Sequence, residues 1–559
     1  MEQFISATTK KIDVLPMVKH YITKLGIYAL FQRHIPKRSN AFIEPAQALC
    51  MMIINIICSS QPLYKVEEWL ADYMDGVAED GTTAAQYNDD QLGRSLDKLF
   101  KVDRNTLMTE ISANAIKTYE LETSDIHNDS TSVTFTGAYD GQPEETVQIT
   151  RGFNKDHRPD CKQIVFGLNI TADGNVPLSY LLFDGNRTDD TTHVPNWEGL
   201  RELLEKENFV YVADCKLCSM ENLGHIHANG GIFITIIPKN RKSVKAFYEH
   251  IQDNDIDWQE ALIKEDTRKK GKLVTYRTFE QAFEDTGYRI IWVHSSSKEE
   301  QDRKRRNNAI NKVLEELDIL SGKLNKYNLK TKEQIENAVK KSCKGKQDLF
   351  NINIIEEKEI VKVQAKPGRP GPDTIYTEKE NCFFRIEYSV NEDALSRVER
   401  TDGIFPLVTN GTMDAVDVLS KYKNQPYLEK RMYTAKSVLK VAPVFLESPR
   451  RIEAALFLYF TALTIVGLIE RNIRKNMQKD NIKKLPILPS RMSTKAPTWN
   501  NLNNFFRNVH LSIIEQDGKT VSTTLKGMTD MHYKIISLLN VPASVYRNIK
   551  DQWWIFKPA

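Results

Sequence analysis

The stretch that decides the fold is Phe209-Val210-Tyr211-Val212-Ala213-Asp214-Cys215. Its first five residues are mostly apolar and β-prone and lead directly to a carboxylate, which predicts a buried strand that ends at Asp214. A polar, glycine-containing stretch over residues 219–224 and a second apolar run over residues 231–237 follow. Strand, short helix and strand form a βαβ unit, and functional groups in open α/β sheets collect where such strands end. Asp214 is therefore the first candidate catalytic residue.

Three further strands and a helix precede this unit. β-Branched and alternating residues predict the first strand, and an Asp173-Gly174 turn predicts that the second and third strands form a hairpin. The predicted strands cover residues 126–136, 164–171 and 176–183, and the predicted amphipathic helix covers residues 196–207. The resulting order, βββαβαβ, is that of a ribonuclease-H-like α/β fold with a mixed sheet.

This strand order brings two aspartates together. In such a sheet the middle of the first strand lies beside the end of the fourth, so Asp129 and Asp214 face each other across about one strand spacing, some 4.8 Å. The two residues are 85 positions apart in the chain (214 − 129). Two carboxylates this close repel each other, and a divalent cation between them is the best explanation.

A third carboxylate is expected from a helix that follows the polar, irregular stretch of residues 241–400. The candidate is Glu429 in the stretch Tyr427-Leu428-Glu429-Lys430-Arg431, and Pro426 suits the first turn of that helix. Lys436 follows Glu429 by seven residues, almost two helical turns, so the two side chains share a face. A metal-binding carboxylate with an ammonium two turns away suits a phosphodiester backbone.

Composition sets limits on the class of protein. The 559 residues are 27% charged and 41% hydrophobic, and 77 Lys+Arg against 74 Asp+Glu leave a net charge of only +3. Any nucleic-acid surface must therefore come from local segregation of charge. The seven scattered cysteines predict a reducing compartment, and no signal peptide is evident. The most apolar run, residues 454–469, is shorter than the roughly 20 residues of a membrane span and predicts a core helix.

Changes in composition and hydrophobic periodicity along the sequence predict five regions. The N-terminal region has a helical pattern and basic residues clustered near its start, which indicates either a solvated helical face or a DNA-binding domain. Farther along the chain, Pro/Gly-rich and charged stretches mark an insertion that divides the core. The predicted regions are a helical N-terminal DNA-binding domain (1–120), the first part of the catalytic core (121–240), an α+β insertion domain (241–400), the second part of the core (401–475) and a helical C-terminal region (476–559).

One short segment of the insertion has two interpretations. Residues 365–372 read Ala-Lys-Pro-Gly-Arg-Pro-Gly-Pro. This composition is typical of a linker, and it also resembles a Gly-Arg-Pro hook for the DNA minor groove, where an inserted arginine is attracted by the narrow groove.

The residues around Glu429 resemble a known family. Tyr422, Gln425, Glu429 and Lys436 fall on the spacing of the Tyr-x2-Arg-x3-Glu-x6-Lys signature of one group of DDE-type insertion-sequence transposases, with glutamine where that family has arginine. Two more stretches are similar to the same group. They are Lys155-Asp156-His157-Arg158-Pro159-Asp160-Cys161-Lys162-Gln163, and Ala442-Pro443-Val444-Phe445 followed by Arg450-Arg451-Ile452-Glu453-Ala454.

The resemblance implies metal-dependent cleavage at transposon ends, which frees a 3′-hydroxyl, and attack of that hydroxyl on target DNA. It implies two Mg²⁺ ions, with Mn²⁺ as a possible substitute, held by Asp129, Asp214 and Glu429. The implied DNA-binding residues are Lys436, Tyr422, Gln425, Arg158 and Lys162. The implied partners are double-stranded DNA, as terminal inverted repeats and target, and a second copy of the chain on that DNA. No membrane is expected, and the expected location is the cytoplasm of a prokaryote.

Two alternatives stay open at this point. A ribonuclease-H-like nuclease would cut nucleic acid without strand transfer, and a domesticated DNA-binding protein would bind without cutting.

Overall fold

The computed structural model describes residues 5–36, 43–74, 83–265, 271–282, 287–326, 328–372, 374–441, 446–516 and 519–547. The chain divides into two compact units. The first consists of Met1–Thr235 and Ser420–Ala559, and the second of Ile236–Leu419. The second unit thus ends later than the predicted insertion boundary near residue 400, because a strand over Ile404–Thr409 pairs inside that unit.

The N-terminal part of the first unit is mainly helical. The third helix is almost wholly apolar and buried, and Asn88 and Asp103 cap the fifth and sixth helices by accepting hydrogen bonds from backbone N–H groups. The elements are β1 (Ile5–Lys11), α1 (Leu15–Lys24), α2 (Ile27–His34), α3 (Pro45–Cys58), α4 (Val66–Met74), α5 (Asp89–Phe100) and α6 (Arg104–Tyr119).

A mixed sheet with helices follows in the order that the sequence predicts. Its elements are β2 (Asp125–Phe135), β3 (Lys162–Thr171), β4 (Pro177–Asp184), α7 (His193–Leu204), β5 (Val210–Val212), α8 (Met220–Ala228) and β6 (Ile232–Ile236). The strands lie side by side in the order β4-β3-β2-β5-β6. β2, β3 and β4 are antiparallel to one another, whereas β5 is parallel to both β2 and β6.

The predicted turn between β3 and β4 is present. Gly174 and Asn175 both have positive φ, 76° and 58°, as a tight hairpin requires. A Cβ on Gly174 would also lie only 2.4 Å from Cγ of Arg471. Glycine is therefore needed at this position both for the backbone conformation and for the close approach of the arginine.

The second unit has its own sheet and helices. Four strands lie in the order β12-β9-β8-β7, all antiparallel. The elements are α9 (Lys242–Asp253), β7 (Gln259–Glu265), β8 (Leu273–Ala282), β9 (Arg289–Ser295), α10 (Ser296–Ser321), α11 (Lys332–Cys343), β10 (Phe350–Gln364), β11 (Tyr376–Val390), α12 (Glu392–Glu399) and β12 (Ile404–Thr409). The chain returns to the first unit within α13 (Ala415–Tyr422).

The segment 365–372, which reads as a linker in the sequence, is the tip of a long hairpin. β10 and β11 pair over 15 residues each, from Phe350↔Val390 to Gln364↔Tyr376. The base of the hairpin packs on α10 and α11 through a core that includes Leu317, Ile335 and Phe384. The segment therefore connects two strands of one ribbon and separates no domains.

The C-terminal part of the first unit is not wholly helical, contrary to the prediction for residues 476–559. Two strands there complete a three-stranded sheet in the order β1-β13-β14. Their alternation is short and rich in Ser and Thr, which makes it a weak signal. The elements are α14 (Gln425–Tyr433), a π-helical turn (Thr434–Val438), α15 (Pro449–Lys479), α16 (Trp499–Phe506), β13 (His510–Gln516), β14 (Lys519–Lys526), α17 (Asp530–Leu538) and α18 (Ser544–Arg547).

Helix α15 contains the apolar run that the sequence assigns to the core. By length and composition this helix could cross a membrane, but 89% of its most apolar window is buried inside the protein. It contacts α3, α5 and β4, which is the placement of a central core helix.

Candidate active site

The two predicted aspartates lie at the same edge of the sheet. β2 and β5 are parallel, with His127 opposite Val212 at the end of their ladder. The same register, continued by two residues on each strand, sets Asp129 opposite Asp214. The two carboxylates interact electrostatically, because the charge on Asp214 raises the pKa of Asp129. The structure therefore brings this pair together.

Asp129 has an unusual environment for a carboxylate. Burial above all, and the charge of Asp214 to a smaller extent, raise its pKa to about 6 against the opposing effects of Lys155 and of the Ser130 N–H. Its Oδ1 accepts a hydrogen bond of 2.7 Å from the Ser130 backbone. A perturbed pKa of this kind, in a group with a charged neighbour, is typical of functional sites.

Lys155 is a site residue that the sequence reasoning missed as such. Its Nζ lies 3.4 Å from Oδ1 of Asp129 and 3.1 Å from Oδ2 of Asp189, and it donates a 2.8 Å hydrogen bond to the Ser130 carbonyl. Burial by itself would lower the pKa of Lys155, but the two carboxylates outweigh it and raise the pKa. The available signal was its position at the start of the stretch 155–163, which resembles the transposase group.

Asp189 and His193 were also missed. Asp189 begins a short 3₁₀ turn after β4, and its Oδ1 accepts a 2.6 Å hydrogen bond from the Ser130 hydroxyl. His193 is 3% exposed, and its Nδ1 lies 3.1 Å from the hydroxyl of Tyr211. Burial lowers the pKa of His193 to about 4 despite nearby carboxylates, among them Asp214. The imidazole of His193 is therefore neutral at pH 7, although Asp214 and Asp189 lie close enough to affect its pKa.

Helix α14 approaches β2 through Gln425. The amide of this residue donates a 2.8 Å hydrogen bond to the carbonyl of Asn128, and its Oε1 lies 3.0 Å from Nδ1 of His127. Gln425, which the resemblance assigns to DNA binding, is thus held by the strand that carries Asp129. These bonds attach the start of the helix next to the aspartate pair.

Glu429 lies one helical turn beyond Gln425 and is exposed. Burial raises the pKa of Tyr422, and the charges of Asp214 and Glu429 raise it further. Both carboxylates therefore act electrostatically on the same tyrosine hydroxyl. Among the described residues, no group of three or more His, Cys, Asp or Glu side chains is arranged to hold a metal ion. The structure therefore unites Asp129 and Asp214 but does not bring Glu429 into one ligand set with them.

The predicted DNA-binding cations are each paired with an acid. Lys436 lies in the π-helical turn, and its Nζ is 2.7 Å from Oδ1 of Asp156. Arg158 pairs with Asp160 at 2.8 Å, and Lys162 pairs with Asp140 at 3.1 Å. Because a π-turn rotates less per residue than an α-helix, Lys436 does not keep the face that plain α-helical geometry predicts relative to Glu429.

One further stretch with family resemblance, residues 442–445, lies outside the described residues. Its companion, residues 450–454, begins helix α15. Glu453 in that stretch is buried and accepts hydrogen bonds of 2.9 Å from Arg104 and 2.6 Å from the Val147 N–H. Glu453 is therefore part of the structural core of the first unit.

The donor atoms near Asp129 are of the kind that magnesium prefers. Asp129, Asp214 and Asp189 all offer carboxylate oxygens, which are hard ligands. The fit is partial, because Lys155 contacts two of these carboxylates and Glu429 stands apart.

Comparisons with known proteins add three findings. Residues 7–113 match the model of a domain of unknown function, DUF4277. No curated protein matches the chain. Among solved structures, the chain is similar to a piggyBac transposase in a synaptic complex with hairpin DNA, with 8% sequence identity, a TM-score of 0.35, and coverage of 96% of this chain and 81% of that one.

Proposed function

We propose that the chain is a DDE-type DNA transposase with a ribonuclease-H-like core, which cleaves DNA at transposon ends and joins the freed 3′-hydroxyl to target DNA. The observation that carries the proposal is the meeting of Asp129 and Asp214 at the edge shared by β2 and β5, with a raised pKa at Asp129. The spacing of Tyr422, Glu429 and Lys436 supports the same assignment.

Asp129, Asp214 and Glu429 are the proposed ligands of two Mg²⁺ ions, for which Mn²⁺ can substitute. When bound, such ions supply Lewis-acid activation of the attacking oxygen and charge stabilisation of the leaving oxygen. The chain's own residues prepare the site for them. Lys155 offsets part of the negative charge of the carboxylates. His193 is neutral at pH 7 and therefore adds no second positive charge to the site.

The geometry of α14 supports a place for Glu429 beside this pair. Gln425 is attached at Asn128, and Lys436 pairs with Asp156, which also accepts a 3.4 Å hydrogen bond from Thr134 near the far end of β2. The helix therefore runs along β2 in the same direction. At about 1.5 Å per residue, Glu429 lies roughly 6 Å beyond Gln425, which is about two strand residues past Asn128, at the level of Ser130 and one residue beyond Asp129.

The position of Glu429 around the helix also supports the proposal. Gln425, Leu428, Glu429 and Met432 occupy positions i, i+3, i+4 and i+7, so they share one face of α14. Leu428 and Met432 are buried, and Gln425 contacts β2. In this proposal, a change of side-chain rotamer and a shift of α14 bring the Glu429 carboxylate, which is exposed in the structure, to the aspartate pair.

The proposed partner is double-stranded DNA, bound as terminal inverted repeats and as target by a homodimer in a prokaryotic cytoplasm. Lys436, Arg158 and Lys162 are the proposed phosphate contacts, together with Tyr422 and Gln425 in the signature. In this proposal, phosphates replace Asp156, Asp160 and Asp140 as the partners of the three cations, because a phosphate offers the same charge-assisted contacts.

A joining assay tests this function. Purified full-length protein is incubated with Mg²⁺, labelled DNA from the ends of the segment that carries the gene, and a supercoiled target plasmid. The proposal expects joined products that disappear in the Asp129→Asn and Glu429→Gln variants, both of which keep the wild-type circular-dichroism spectrum. Cleavage without joining would identify a nuclease instead, and binding without cleavage a silent DNA-binding protein.

A further inference from the structure

The hairpin β10–β11 extends far beyond the core that supports it. Only its base is covered, through Phe350 and Ile386, and the buried Phe384 marks the boundary with the outer part. The outer part comprises nine residue pairs, from Glu356↔Phe384 to Gln364↔Tyr376, and most of its side chains are exposed. At about 3.3 Å per residue this outer part is roughly 30 Å long. We name it the arm, and we name residues 365–372 the tip.

Charge is divided between the arm and the tip. Residues 356–364 and 376–383 contain five acids and three bases, a net charge of 3 − 5 = −2. The tip contains Lys366 and Arg369 and no acid, a net charge of +2, and all its residues are exposed. Asp373 follows the tip and lies outside the described residues. The arm is thus an acidic stem with a basic end, which would attract a polyanion at the tip and repel it along the stem.

The glycines of the tip are not required by the fold. Neither Gly368 nor Gly371 has a positive φ, and a Cβ on either would meet no heavy atom within 4 Å. Gly174, by contrast, has positive φ and a close neighbour. Glycine at both positions leaves the backbone of the tip open to close approach by another molecule.

We propose that the tip enters the minor groove of duplex DNA, with Arg369 in the groove and Gly368 and Gly371 allowing the backbone to approach its walls. The minor groove is only about 6 Å wide, so a narrow loop without bulky side chains fits, whereas the acidic two-stranded stem does not. Narrow A·T-rich grooves concentrate negative potential, which attracts arginine. This inference rests on the proposed function, because that function supplies the DNA.

The experiment compares three full-length proteins on one 30-base-pair duplex with an A·T-rich centre. Arg369→Ala removes the cation of the tip, and Lys362→Ala removes an equal charge from the exposed stem. Arg369→Ala is expected to weaken binding roughly 10-fold and to reduce the slope of log K against log salt by about 0.9. Lys362→Ala is expected to change neither. Gly368→Val should weaken binding with an unchanged melting temperature.

A minor-groove ligand, netropsin, tests the choice of groove. Netropsin is expected to weaken binding of the wild-type protein to the level of Arg369→Ala and to leave that variant unaffected. Equal losses in the Arg369 and Lys362 variants, or netropsin competition that is the same for both proteins, would overturn the inference and leave the proposed function intact. Failure of the wild-type protein to bind any duplex would overturn the proposed function itself.

Discussion

At the scale of single residues, the pKa of Asp129 makes the stability of the fold depend on pH. Burial and Asp214 raise this pKa from 3.8 to about 6. The neutral carboxyl is thus favoured in the folded chain, so its contribution to stability is fully present below pH 3.8 and is lost as the pH rises through about 6. Ionisation of Asp129 therefore lowers the stability of the metal-free protein.

The first prediction concerns Asp129→Asn. In buffer with a chelator, the variant is expected to exceed the wild-type free energy of unfolding by about 2 kcal/mol at pH 8 and to lose that advantage near pH 4. Urea denaturation at several pH values measures the difference. Asp140→Asn, at a position that is 84% exposed, is the control. Identical pH profiles for wild type and Asp129→Asn would contradict the assignment.

The second prediction concerns Lys155→Met. Lys155 lowers the pKa of Asp129, so its removal should raise that pKa further. The low-pH limb of Mg²⁺-dependent cleavage is expected to move to higher pH by about one unit, which corresponds to the loss of about 1.4 kcal/mol of charge interaction. Lys162→Met, whose ammonium pairs with Asp140 instead, should leave the limb in place. A pH–rate profile of cleavage decides between the two outcomes.

At the scale of elements, the attachment of α14 to β2 depends on one amide. The Gln425 side chain bonds to both Asn128 and His127, and Glu429 follows one turn later. The start of the helix therefore controls where the third proposed ligand stands. The sequence does not predict this contact, because the place of Gln425 in the signature implies that its side chain binds DNA.

The third prediction concerns Gln425→Ala. Loss of the amide leaves the Asn128 carbonyl without this donor, and the free energy of unfolding is expected to fall by about 1 to 2 kcal/mol. DNA cleavage should fall by about 10-fold to 100-fold, as for a residue that orients a metal ligand. Asn424→Ala is the matched control, since that side chain makes no capping bond. Loss of DNA affinity without loss of stability would show that Gln425 contacts DNA directly.

The fourth prediction concerns Gly174→Ala in the β3–β4 turn. The alanine Cβ would be strained by the φ of 76° and would meet Arg471 at 2.4 Å. Unfolding should therefore become easier by more than about 2 kcal/mol. Gly141→Ala has a similar φ of 66° but no neighbour within 4 Å, so it isolates the backbone cost. Thermal denaturation of both variants gives the comparison, and equal losses would show that Arg471 simply moves away.

Much of the central sheet could be predicted because its signals are local. The alternation in residues 126–136, the Asp173-Gly174 turn and the apolar run before Asp214 each identify one element, and the order of elements restricts the strand order. Lys155 and Asp189 reach the site from loops, and no local pattern specifies where a loop side chain points. The residues of β11 near its base, 382–388, are predicted as a strand, whereas the outer part of the long hairpin is not, because its Glu- and Lys-rich strands lack an apolar face.

At the scale of the whole chain, distant segments complete one unit. β1 pairs with β13 in register from Ile5↔Gln516 to Lys11↔His510. Tyr546 is fully buried and donates a 3.1 Å hydrogen bond to the carbonyl of Asp13. The first unit therefore cannot reach its full stability without residues beyond 505, although the proposed catalytic residues Asp129 and Asp214 lie far earlier in the chain.

The fifth prediction concerns Tyr546→Ala. Removal of a fully buried aromatic side chain and its hydrogen bond is expected to reduce the free energy of unfolding by about 3 to 5 kcal/mol. Tyr64→Ala, at a position that is 60% exposed, should have an effect below about 0.5 kcal/mol. Chemical denaturation measures both effects. A small effect for Tyr546 would mean that this contact does not stabilise the unit.

The pairing of β1 with β13 has a consequence during translation. A ribosome must add 505 residues (516 − 11) after Lys11 before the partner strand is complete. At about 5 to 20 residues per second this takes roughly 25 to 100 s, during which the edge of β1 has no partner of its own. The strand is mostly polar and ends in two lysines, with the sequence Ile5-Ser6-Ala7-Thr8-Thr9-Lys10-Lys11. Lysine on an edge strand disfavours pairing with the strands of neighbouring nascent chains. The polysome can therefore carry many unfinished copies of this chain without β1 seeding their aggregation.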